Sequence, residues 1–166
     1  MPLIQNIPLN DVRVIGNAAA AGAGALLQFV PVQDSPAMIG LKAIWPGANP
    51  CEGGIVILEG AEAGAFLIDH QLFNVPALDV SGLVEIGIGQ IAPRRASRSD
   101  VAPGGIYQLP AKGSSPAWLG LAVRLPNTTF PTGFLRLSQP DYGRIEAAAE
   151  AILLGTSVVL VRAPAH

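Results

Sequence analysis

The stretch Gly53–Asp69, GGIVILEGAEAGAFLID, decides the fold. Two apolar runs, Ile55-Val56-Ile57-Leu58 and Ala65-Phe66-Leu67-Ile68, flank Glu59-Gly60-Ala61-Glu62-Ala63-Gly64. The first run is β-branched and too short for a helix, and glycines bound both, so the segment reads as strand, turn, strand. Gly60 and Gly64 can take the positive φ values that a tight connection needs.

Working outward, Met38–Trp45 alternates: Ile39, Leu41, Ala43 and Trp45 share one face, with Gly40, Lys42, Met38 and Ile44 on the other. Leu83–Ile91 puts Val84, Ile86 and Ile88 on one face, and Trp118–Leu125 does the same with Leu119, Leu121, Val123 and Leu125. Shorter strands are expected at Val12–Ile15, Leu26–Val32, Gly105–Leu109, Phe134–Leu137 and Ser157–Arg162, with Pro31 demoting the end of its run. Asn17–Ala25, NAAAAGAGA, reads as a loop because its glycines oppose a helix. Asp69 and His70 fall on a strand in this reading, and the charge-dense Pro93–Pro103 is a solvated loop. One helix is expected at residues 139–154: Ser138 caps it, Pro140 and Asp141 suit its first turn, and Gly155 stops it. Its apolar stripe is Tyr142, Ile145, Ala149, Ile152 and Leu153.

The sum is a mainly β chain, an antiparallel sandwich or barrel of about nine short strands and one helix in the C-terminal half. Residues 1–25, with Pro2 and Pro8, are expected to form an extended arm, and 26–166 a single β-rich domain. No repeat of fixed period is present.

Charge is the most informative bulk property. Only 13% of residues are charged, where about 25% is usual. A folded monomer of this mass exposes roughly 7,800 Å². The 10 basic and 12 acidic side chains therefore serve about 350 Å² each. Uncharged polar residues do not make up the difference, so contact with other protein is the expected cover. The net charge of -2 provides no global basic field for nucleic acid. The one cysteine, Cys51, excludes an intrachain disulfide framework and a cysteine-cluster metal site. The amino-terminal stretch MPLIQNIPLNDVR lacks the basic and apolar regions of a secretory signal, and no apolar run is long enough to span a membrane.

Catalytic motifs are weak throughout. Gly87-Ile-Gly89-Gln-Ile-Ala92 matches a dinucleotide-binding pattern, but Pro93 denies the helix that must follow. No phosphate-binding G-x-x-x-x-G-K-[ST] loop and no G-x-S-x-G elbow is present. His70 is the one internal histidine that could serve as a general base, and the carboxylates are too scattered to suggest a metal site. Neither a cofactor nor a metal is expected. Arg94, Arg95 and Arg98 form a compact basic group without aromatic interleaving, which suits a subunit contact better than a nucleic-acid platform. Trp45 and Trp118 are candidate core or interface anchors.

In size, strand-and-turn texture and lack of catalytic motifs, the whole chain resembles small bacteriophage virion proteins of the head decoration or cement type. The resemblance implies symmetric homo-oligomers, such as trimers, seated on a larger capsid protein, assembled in the host cytoplasm and performing no chemistry. Interface residues are then Trp45, Trp118, Arg94, Arg95 and Arg98. Two alternatives from other classes stand beside it. One is a β-barrel or cupin-like enzyme or ligand-binding module using His70. The other is a nucleic-acid adaptor using the three arginines.

Overall fold

A computed structural model describes residues 13–30, 34–47, 52–81, 84–125, 132–138, 142–147 and 151–162. Six strands from the first half of the chain make one antiparallel sheet, A: β1 (Arg13–Ile15), β2 (Leu26–Phe29), β3 (Met38–Trp45), β4 (Glu52–Ile57), β5 (Phe66–Ile68) and β6 (Ala77–Asp79). Their order is β1-β6-β2-β3-β4-β5. Six from the second half make sheet B: β7 (Val84–Ala96), β8 (Ile106–Leu109), β9 (Trp118–Arg124), β10 (Thr132–Arg136), β11 (Ile145–Glu146) and β12 (Ala151–Arg162). Their order is β11-β10-β9-β8-β12-β7. The sheets are open, so the fold is a β sandwich and not a closed barrel.

The opening hairpin forms as its sequence implies. β4 and β5 pair antiparallel, with Val56 opposite Phe66. Gly60 and Gly64 adopt φ of 80° and 88°. Gly64 has a second duty: a Cβ there would lie 2.4 Å from the Gly104 nitrogen. The turn can therefore reach sheet B, where the Arg124 N–H donates to the Gly64 carbonyl at 2.8 Å. A second stitch joins the sheets where the Ile44 N–H donates to the Gly143 carbonyl at 3.0 Å.

Both faces of each sheet are apolar. Between the sheets, Ile39, Leu41 and Ala43 of β3 meet Leu121 and Val123 of β9. Strand alternation sends the intervening residues outward. On sheet A these form a second cluster with Leu27, Phe29, Ile55 and Ile57, closed over by Ala18 and Leu72. On sheet B, Tyr107, Leu109, Trp118 and Phe134 form a third. The chain thus covers its own outer faces, which accounts for part of the charge deficit.

Several expectations are corrected. Twelve strands form among the described residues, against about nine expected. The helix at 139–154 is absent from its described residues, 142–147 and 151–154, which are turn and strand. Gly143 takes φ 85°, outside the helical region, and Ile145 enters the inter-sheet core while Leu153 enters the outer cluster of sheet B. One helical stripe cannot feed two clusters on opposite faces of a sheet. Ser138, expected as the cap, instead accepts from the Leu119 N–H at 3.1 Å, and Gly155 lies at a β-bulge of β12.

Asp69 and His70 are not on a strand but open a 3-10 turn, Asp69–Gln71. Pro93–Pro103 is not all loop, because β7 continues through Ala96 before a 3-10 turn at Arg98–Asp100. An edge strand tolerates Pro93 because one side of its backbone has no ladder to serve. Of the expected arm, residues 1–12 lie outside the described residues. The remainder is part of the sandwich: β1 pairs with β6, and Ala18 is fully buried.

Candidate functional site

Among the described residues, polar groups converge on the outer faces of this sandwich around two buried cations, Lys42 and Arg136. Lys42 sits on β3 between inward-facing Leu41 and Ala43, so its side chain enters the outer cluster of sheet A. It is 4% exposed. A lysine is buried this deeply only with partners. Its Nζ donates to the Ala19 carbonyl at 2.8 Å and to Asp69 Oδ1.

Local sequence explains both partners. Asn17 accepts from the Ala19 N–H and starts a 3-10 turn at Ala18–Ala20, whose small side chains let the backbone lie close over the sheet. Asp69 follows the last residue of β5, and its carboxylate crosses β4 at Gly53 to reach β3. A Cβ at Gly53 would stand 2.6 Å from Asp69 Oδ2. A side chain at that position would have to displace the Asp69 carboxylate.

Arg136 is the counterpart on sheet B, at the end of β10 and 5% exposed. Its guanidinium lies over Trp118, 4.1 Å from the ring centroid. Nε and Nη2 both donate to Glu146 Oε2, at 3.0 and 2.8 Å. Glu146 Oε1 also lies 3.5 Å from Arg144 Nε. Nη1 is buried without a hydrogen-bond partner among the described residues.

The remaining sequence candidates do not converge with these groups. His70 is exposed on its 3-10 turn. Trp45 is half-buried and meets Phe66 edge-on at 6.3 Å. Trp118 is 7% exposed, its ring engaged with Arg136. Arg94 and Arg95 are exposed on β7, opposite Leu153 and Ile152 of β12. Arg98 begins the following turn, and its side chain lies outside the described residues. A shallow groove of about 310 Å³ lies elsewhere, lined by Ala23, Ile44, Pro46, Tyr142, Gly143 and Arg144. Burial there raises the Tyr142 phenol above its ordinary range. Among the described residues, no group of three or more His, Cys, Asp or Glu could hold a metal ion. None of their helices is long and apolar enough to cross a membrane.

Sequence reasoning placed Lys42 on the correct face but did not single it out. The available signal was a lone lysine in a strand whose neighbours on both faces are apolar.

No protein-family model matches the chain, and neither a curated protein nor a solved structure matches it.

Proposed function

We propose that the protein is a structural subunit of a large symmetric assembly, acting through protein–protein contacts. The supporting observation lies at the β1 edge of sheet A. Val14 pairs directly with Leu78 of β6, and directly paired residues project to the same face. Leu78 packs against the inter-sheet core. Val14 therefore points to the inner side of the sheet, yet it is 69% exposed. Val30, just past the end of β2, is 43% exposed. Among the described residues β1 is also the last strand of its sheet, so one row of its backbone N–H and C=O groups has no partner strand there. A second copy laid along this edge would pair those groups and roof Val14 together.

In its finer form the reading is a virion component of the capsid decoration, cement or head–tail kind, a homo-oligomer seated on a larger capsid protein. Low charge, β-rich texture and the uncovered edge support it. Its chemistry is contact, not catalysis. No observation favours the alternative built on His70.

Light scattering on the purified chain tests the reading. An oligomer is expected, and Val14→Asp should dissociate it while leaving the β circular dichroism spectrum intact. A parent chain that stays monomeric at high concentration would overturn it.

A further inference from the structure

We propose that Lys42 and Asp69 become joined by an intramolecular amide, so that the chain carries its own covalent cross-link from β3 to the end of β5. The inference stands apart from the assembly reading and uses only the geometry of the pair.

Amide formation between an amine and a carboxyl group is slow in water because the groups rarely meet productively and both are charged. This structure removes the first obstacle, and a proton transfer within the pair meets the second. Lys42 is held on a central strand, and the Lys42 N–H donates to the Ala25 carbonyl at 2.9 Å. Asp69 is held by β5 on one side and, on the other, by the Leu72 N–H donating to its carbonyl at 3.0 Å. Gly53 leaves the carboxylate the space it occupies beside Nζ. Fixed juxtaposition of this kind is equivalent to effective concentrations on the order of 10⁵–10⁸ M.

The charge obstacle is met within the pair. One proton passing along the hydrogen bond from the ammonium to the carboxylate leaves a neutral amine and a neutral acid. The Ala19 carbonyl holds one amine hydrogen at 2.8 Å, which orients the nitrogen. The Nζ lone pair then attacks Asp69 Cγ, and the C–N bond forms. An amine proton moves to the carboxyl hydroxyl, the C–O bond breaks, and one water leaves. No oxidant or other co-reactant is needed. The Asp69 side chain is 41% exposed, so the water has a direct exit, while Lys42 remains buried. The product amide keeps one N–H, which can still donate to Ala19. Ala19 and Gly53 are positioning residues in this scheme.

The full chain tests the proposal without any variant. Its denatured intact mass should be lighter than the sequence mass, with or without Met1, by one water. Proteolysis should yield a branched peptide joining the Lys42 and Asp69 segments. Lys42→Met and Asp69→Ala should keep their full sequence masses. Asp69→Asn should expel ammonia in place of water and end at the same mass as the parent chain, because both routes give one product. A parent chain at its full sequence mass after prolonged incubation of the folded protein would overturn the proposal. So would a water loss that maps to any other aspartate.

Discussion

Lys42 and Arg136 face one problem on opposite sides of the sandwich. Each is a cation buried among apolar side chains on the outward face of its sheet. Each also depends on a nearby glycine: Gly53 leaves room for Asp69, and Gly120 for the Trp118 ring, which would lie 2.9 Å from an added Cβ. Their answers differ. Lys42 is a compact donor held between a carbonyl and a carboxylate from distant parts of the sequence. Arg136 spreads its charge over an aromatic ring and a carboxylate on the adjacent strand, and still leaves Nη1 without a partner. A flat guanidinium can stack and hydrogen bond at once, whereas an ammonium is a point charge that must be surrounded. The first arrangement ties the fold together over a long loop, and the second reinforces neighbours already paired.

The largest effects should come from the Lys42 side. The proposed amide would close a loop of 27 residues, and closing such a loop covalently is worth about 3.5 kcal/mol by chain entropy. Both Lys42→Met and Asp69→Ala should lose about that much in urea unfolding, with Asp69→Ala the worse because it strands a buried ammonium. If Lys42→Met cost under about 1 kcal/mol, the pair would be an ordinary ion contact and the contrast with Arg136 would collapse.

Next in size is Glu146→Ala, expected to cost about 2 kcal/mol because it leaves a buried guanidinium with Trp118 alone. Arg136→Met should stay within about 1 kcal/mol of the parent, since it removes an orphaned donor along with the charge. Chemical denaturation of the two variants side by side measures that asymmetry. Gly53→Ala should cost about 1–2 kcal/mol by pushing the Asp69 carboxylate away from Lys42. In intact mass the water loss should appear more slowly than in the parent chain.

The smallest effect concerns a carboxylate outside both pairs, and it sets the scale for them. Burial raises the Glu59 carboxyl above the ordinary 4.5. A raised folded-state value means that the stabilisation is complete below 4.5 and is lost as pH rises through the higher value. Glu59→Gln should therefore flatten the decline in melting temperature over that interval. An unchanged profile would show that Glu59 ionises as freely in the folded chain as in the unfolded one.

Uneven legibility of the sequence follows from what each feature depends on. Met38–Trp45 could be read to its ends because alternation and the inter-sheet core agree: Ile39, Leu41 and Ala43 are all buried. The hairpin turn was legible because only glycine tolerates the φ values at 60 and 64. The segment 139–154 was misread because Ala and Glu favour a helix locally, and the stripe at helical spacing is coincidental. The true partners of residues 151–154, β7 and β8, are distant in sequence.

By itself the sequence determined strand positions, glycine turns, the β class and a shortage of charge, because these follow from side-chain period and backbone sterics within a few residues. Tertiary structure alone decided that the outer face of sheet A is roofed by the chain's own turns, and that Lys42 meets Asp69. Those contacts join groups many residues apart, whose encounter depends on sheet order and on the space left by Gly53, neither of which a local pattern encodes.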